Sequence, residues 1–201
     1  MGSQLSQVHA IEYINNATAA FSALDTAAIG RASEQILATH RQKRKILIAG
    51  NGGSAALASH LTCDLSKTTL GQNIDSDDRL RVFCLTDNTP LLTAWANDVD
   101  YQSALAQQLR SIADPGDLLL VISGSGNSPN VVRTLEQAKA SGLACQGWLG
   151  KTGGQARELC DTFVCVESDD YGIVEAGHSL LAHLVTDAIR QQLGNDARRI
   201  G

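Results

Sequence analysis

The chain has 201 residues, a formal net charge of −5, 43% hydrophobic side chains and 18% charged ones. That length suits one domain with a real core, the apolar content excludes a disordered chain, and the acidic balance argues against a nucleic-acid partner. No apolar run reaches the roughly 20 residues of a membrane span and no charged-then-apolar leader opens the chain, so a cytoplasmic protein with no membrane partner is expected.

Residues 4–42 carry Ile11, Ile14, Phe21, Leu24, Ile29, Ile36 and Leu37 in a helical pattern without proline, which predicts two helices meeting near Asp25-Thr26. Strands are then expected near 45–50, 81–86, 117–122, 144–149 and 162–167. Helices are expected near 54–66, 90–96, 101–112, 129–141, 153–159 and 172–193. This alternation implies right-handed βαβ crossovers, and hence an α/β fold with a doubly wound five-stranded parallel sheet flanked by helices. Thr89-Pro90 and Ser128-Pro129 each put a capping residue before a proline at a helix start. The polar segment from Gly71 to Arg79 reads as a surface loop, and residues 195–201 as a frayed tail. The whole is a single domain: N-terminal helices 1–43, an α/β core 44–194 and the tail.

Two of the apolar runs break into loops of glycine and serine, and each loop opens a helix. The first runs from Lys45 to Ser54 and the second from Asp117 to Pro129. A strand ending this way aims N–H groups and hydroxyls at one point beside the positive end of a helix, which suits a phosphate. One glycine turn would be ordinary parallel-sheet structure. Two in one domain, the second with Ser123, Ser125 and Ser128, point to a phosphorylated small molecule. Ser128 would cap its helix in any protein, whereas Ser123 and Ser125 have no such structural duty. The five cysteines form no CxxC pair and read as free thiols in a reducing compartment.

At these loops the chain resembles the sugar isomerase (SIS) domain family, and within it the phosphoheptose isomerases. The matching segments are Gly50–Ala56, Ala94–Asp98, Ser123–Asn130, Leu149–Gly154 and Glu175–His183. The resemblance implies an aldose–ketose isomerase that takes sedoheptulose 7-phosphate to a heptose 7-phosphate aldose. It implies a sugar-phosphate pocket lined by Asn51, Gly52, Gly53 and Ser54 with Ser123, Gly124, Ser125 and Ser128, and contacts from Asn97 and Asp98 to sugar hydroxyls. It implies catalysis by Asp64, Glu175 and His183, and a zinc ion on His60, Asp64, Glu175 and His183. It also implies a homo-oligomer, in the family a tetramer.

The chain departs from the family pattern at two of these places and at position 57. Asp64 stands for a glutamate and is one methylene shorter, about 1.5 Å on a single-bond scale. A misplacement of about 1 Å can cost around a hundredfold in rate. Glu175 stands for a glutamine and adds a carboxylate, so the carbon base is Asp64 or Glu175. Leu57 replaces an aspartate. His60 and Asp64 share a helix face at i,i+4. His183 lies about 80° from Glu175 and His178 about 60° the other way, so periodicity does not choose between them. The resemblance selects His183 and leaves His178 as a packing or interface residue.

A second reading stays open beside the enzyme. It is a non-catalytic sugar-phosphate-binding member of the family that acts through protein contacts, as the replication initiator-associating protein does. The N-terminal helices carry more apolar residues than one sheet face covers, so they are expected to pack on a partner subunit.

Overall fold

The computed structural model describes the backbone of residues 2–200 and the side chains of residues 6–194. Helices α1 (Gly2–Ser22) and α2 (Thr26–Arg41) lead into β1 (Lys45–Gly50), α3 (Gly53–Lys67) and a 3-10 turn at Thr68–Leu70. Then follow β2 (Arg81–Cys84), α4 (Thr89–Asp98), α5 (Tyr101–Ile112), β3 (Leu118–Ser123) and α6 (Pro129–Ala140). The chain finishes with β4 (Ala144–Gly150), α7 (Gly154–Leu159), β5 (Thr162–Val166) and α8 (Tyr171–Ile200). The expected elements are all present. α8 runs past its expected end at 193, while the side chains of 195–200 and all of residue 201, where a frayed tail was expected, lie outside the described residues. Among the described residues no helix is long and apolar enough to cross a membrane.

All strand pairs are parallel, in the order β2-β1-β3-β4-β5. Every residue of β1 and β3 is buried, because helices cover both faces of the sheet. That is why these strands read as continuous apolar runs rather than as alternating ones. Ile36, Ile48, Leu61, Leu120, Trp148 and Leu181 pack on the face covered by α2, α3 and α8. Leu47, Leu105, Leu119, Val121, Leu135 and Leu149 pack on the other, under α5 and α6.

The two N-terminal helices behave differently from each other. Asp25 caps α2 by accepting from the Ala27 and Ala28 N–H groups at 2.9 and 3.1 Å, so the helix joint falls where it is expected. Ala28, Ile29, Ala32, Ile36 and Leu37 of α2 are buried in the subunit's own core. α2 therefore needs no partner for its apolar face. Of the two, it is α1 that leaves large apolar side chains in water: Val8, Ile11 and Ile14 are 52%, 52% and 61% exposed.

The sheet order creates the crevice. β1 feeds α3 on one face while its neighbour β3 feeds α6 on the other, and the pairing of Gly50 with Ile122 keeps the two strand ends level. Where following helices diverge, a gap opens at the carboxyl ends of the strands, and ligands of such sheets bind there. Both glycine–serine loops border it.

The opposite end of the same two strands is held by charge. Asp117, 1% exposed, accepts from the backbone N–H groups of Lys45 and Asp114, each at 2.8 Å, and lies 3.0 Å from the Lys45 ammonium. Lys45 also pairs with Asp114, and these two acids hold its pKa above the ordinary lysine value. Breaking a buried pair costs about 3–5 kcal/mol. Since Asp114 would still face Lys45, Asp117→Ala should cost less, about 2–3 kcal/mol, measured as a lower midpoint in urea unfolding. An unchanged midpoint would show that the pair does not brace β1 against β3.

Candidate active site

Hydroxyl groups converge at the crevice. Ser54 is buried at the start of α3, and Ser123, Ser125 and Ser128 come from the second loop. Together with Asn51 they line a cavity of about 170 Å³. Ser123 Oγ accepts from the Gly126 N–H and Ser125 Oγ from the Asn127 N–H, each at 3.1 Å. A hydroxyl that accepts in this way keeps its own proton to donate. Ser128 occupies the N-cap of α6 but makes no side-chain capping bond, so its hydroxyl is not spent on the helix end. The capping explanation for Ser128 therefore does not hold.

Two further residues, Asn130 and Tyr101, position these loops through Asn51, and the sequence does not single them out. Asn51 and Asn130 exchange reciprocal amide hydrogen bonds at 2.8 and 2.7 Å, tying the first loop to the start of α6. The Tyr101 hydroxyl donates to Asn51 Oδ1 at 2.8 Å. Asn130, 2% exposed, stands just after the Ser-Pro helix start; Tyr101 carries no local signal because its partner is 50 positions away.

A second constellation lies further down α3 and α8. Asp64 Oδ2 is 3.3 Å from His60 Nε2 and 3.5 Å from His183 Nδ1, and the two imidazoles meet edge to face with centroids 5.2 Å apart. The other carboxylate oxygen, Oδ1, accepts from the Thr68 hydroxyl at 3.2 Å, which fixes the rotation of the group. Thr68 is a third residue that sequence reasoning missed, although its i,i+4 spacing from Asp64 is legible. The short aspartate reaches both histidines, so the lost methylene does not detach it from them.

These three side chains fit a zinc ion. Their ligand atoms all lie within 4.8 Å of one another. A tetrahedral site with bonds of about 2.0–2.1 Å sets its ligand atoms about 3.3–3.4 Å apart, close to both contacts of Asp64. Glu175 is not among them. It stands against the first loop, where a Cβ on Gly53 would come within 2.8 Å of its Oε1. Glu175 and His183 are eight residues apart, about 12 Å along the helix axis, and in this structure the Glu175 carboxylate lies against the first loop while His183 meets Asp64. Of the four residues expected to hold a metal, the structure gathers His60, Asp64 and His183 and leaves Glu175 beside the first loop. Asn97 and Asp98 also stay apart: they are exposed at the end of α4, where the Asn97 amide donates to Asp98 Oδ1 at 2.8 Å, and they line neither cavity next to the loops.

A groove between α3 and α8 begins at Ser54 and runs in the direction of the triad. α3 and α8 lie side by side, with Gly53 against Glu175 at one end and Asp64 against His183 at the other. Between them a cavity of about 310 Å³ is lined by Gly53, Ser54, Leu57, Glu175 and Ser179. His178 borders it but is 1% exposed, and burial pushes its imidazole below the ordinary histidine range. It belongs to the packing between α8 and the sheet.

The chain's likeness to known proteins follows the same elements. Residues 11–147 match the SIS domain model. The phosphoheptose isomerase of Burkholderia pseudomallei is 34% identical over 167 residues, covering 83% of each chain. That of Bradyrhizobium sp. is 35% identical over 185 residues, covering 90% of this chain and 91% of its own. The solved phosphoheptose isomerase of Neisseria gonorrhoeae superposes with a TM-score of 0.84 at 27% identity, covering 95% of this chain and all of the other. With a fold, a pair of serine loops and a histidine–carboxylate cluster arranged in this way, the chain belongs to the SIS domain family and, within it, to the phosphoheptose isomerases.

Proposed function

We propose that the chain interconverts sedoheptulose 7-phosphate and the corresponding heptose 7-phosphate aldose through an enediol. The observation that carries this reading is the α3–α8 pair, with a phosphate-suited pocket near its start and the Asp64 triad further along it. An extended seven-carbon sugar phosphate spans roughly 9 Å from phosphorus to its carbonyl carbon, at about 1.3 Å of reach per bond. The step along α3 from Ser54 to His60 also covers about 9 Å. A ligand whose phosphate sits among the serines thus brings its first two carbons to Asp64.

There Asp64 takes the proton from C1 of the ketose and returns it to C2. His183 moves the hydroxyl proton from one oxygen to the other, and His60 holds Asp64 from the opposite side. Zinc, when bound by His60, Asp64 and His183, supplies a positive charge that polarises the substrate carbonyl. Glu175 faces the middle of the groove, where it accepts hydrogen bonds from sugar hydroxyls. Glu175→Gln should then raise KM by less than about tenfold and leave kcat within a factor of about two, since an amide oxygen still accepts. A collapse of kcat in this variant would make Glu175 the base.

The protein is read as a cytoplasmic homo-oligomer, a tetramer on the family pattern. All five cysteines are free, and burial pushes the thiols of Cys145 and Cys160 up to about 12, which suits a reducing compartment. The exposed Val8, Ile11 and Ile14 of α1, with Leu180 and Leu184 of α8 beside the half-open triad, supply an apolar surface for a second copy. Conversion followed by NMR, with and without zinc, tests the activity. Binding of the sugar phosphate without turnover in either condition would replace the isomerase by a non-catalytic sugar-phosphate-binding protein.

A further inference from the structure

Of the side chains lining the serine cavity none is cationic, and Glu175 is a carboxylate. A phosphate placed there meets hydroxyls and helix N-termini but no balancing charge. One lysine stands immediately outside. Lys151 follows β4, and its Nζ lies 5.1 Å from the centroid of the Tyr171 ring, within the range of a cation–π contact. Tyr171 is itself a wall of the cavity. Its ring fills the space where residue 124 has no side chain: a Cβ on Gly124 would come within 2.9 Å of Cδ1 and Cε1. Gly124, Tyr171 and Lys151 therefore form a stack at the rim.

The backbone of Lys151 adds an independent sign. Its φ is 54°, in the left-handed region that disfavours any residue with a Cβ. Among the described residues the other non-glycine with positive φ is Lys43, which follows α2 and donates its N–H to the His40 carbonyl at 2.8 Å, as helix-closing residues do. Lys151 closes no helix. Its N–H donates to the Val166 carbonyl and its own carbonyl accepts from the Cys165 thiol, each at 3.1 Å, so β5 pins the backbone while the side chain stays half exposed. The Asp169 carboxylate 3.8 Å from Nζ is fully exposed and a weak tether. A lysine sits here where a glycine would be conformationally easier, and its ammonium group is one aromatic ring away from a phosphate pocket that lacks a cation.

We propose that Tyr171 and Lys151 form a clamp on the phosphate of the ligand: the ring closes the wall that Gly124 leaves open, and the ammonium group swings along the ring to balance the phosphate charge. The clamp rests on the reading of the serine loop as the phosphate site, and it makes these two residues determinants of selectivity for phosphorylated over free sugars.

The test is steady-state kinetics with sedoheptulose 7-phosphate at two ionic strengths, on Lys151→Met, Tyr171→Phe, Tyr171→Ala and the Tyr171→Ala/Lys151→Met double variant. Lys151→Met should raise KM about fivefold at low salt, leave kcat unchanged and flatten the salt dependence of KM. Tyr171→Phe keeps the ring and should match the wild type, whereas Tyr171→Ala should raise KM about tenfold. The double variant should fall short of the product of the single effects, because the two side chains act as one unit. If Lys151→Met keeps the wild-type KM and salt dependence while Ser123→Ala with Ser125→Ala weakens binding, the clamp is wrong and the phosphate site stands. If the serine variant also binds like the wild type, the phosphate site is wrong and the clamp falls with it.

Discussion

Asp64→Asn is expected to lower turnover of sedoheptulose 7-phosphate by about 10²–10⁴-fold, the range contributed by a positioned general base. The amide has the size of the carboxylate and keeps an oxygen for the Thr68 hydroxyl, so the local shape of α3 should survive. What it loses is the electron pair that takes a proton from carbon and the charge that sits 3.3 and 3.5 Å from the two imidazoles. Because the same carboxylate belongs to the candidate zinc set, metal content has to be measured on the same preparation. Lost turnover with retained zinc assigns the proton transfer to Asp64, and lost turnover with lost zinc assigns it a ligand role. Turnover within tenfold of the wild type would move the base elsewhere, with Glu175 the first alternative in the groove. Sugar-phosphate affinity should change little in either case, since the serine cavity lies at the other end of α3.

The second large effect is expected from Ser123→Ala combined with Ser125→Ala. Hydrogen bonds to a charged group are worth about 1.5–3 kcal/mol each, so losing both should weaken sugar-phosphate binding by about 3–6 kcal/mol, or roughly 10²–10⁴-fold. Each hydroxyl also accepts a backbone N–H of its own loop, from Gly126 and Asn127, so part of the loss will come from a looser loop. Inorganic phosphate checks where the loss falls: a damaged phosphate site weakens phosphate and sugar phosphate alike, whereas a misplaced sugar weakens only the latter. Calorimetry showing wild-type affinity for both ligands would remove the second loop from the binding site. The retained fold is checked by an unchanged thermal midpoint.

What could be read from the chain before it was folded is what short-range chemistry controls. The apolar runs at 45–50 and 117–122 announce strands buried on both faces. The glycines and serines after them announce loops that gather hydroxyls, and Ser-Pro and Thr-Pro mark helix starts. His60 and Asp64 share a helix face, so their contact follows from a spacing of four. Glu175 and His183 share one helix, but neither the rise nor the angle along it decides which of them meets Asp64.

The tertiary structure decided the rest, because packing brings together residues that no sequence spacing relates. His183 meets Asp64 only because α3 and α8 lie side by side on one face of the sheet. Asn130 bonds Asn51 across 79 positions because the strand order makes β1 and β3 neighbours and sends their helices to opposite faces. That α2 belongs to the core and α1 to the surface also follows from sheet packing; both helices carry apolar residues, and only one of them lies against the strands. Composition and periodicity determined the elements, the phosphate-suited loops and two of the three side chains of the histidine–carboxylate cluster. Strand order and helix packing decided which of the candidate side chains could touch, because a contact between distant positions depends on the paths of two elements through space and leaves no trace in the spacing of either.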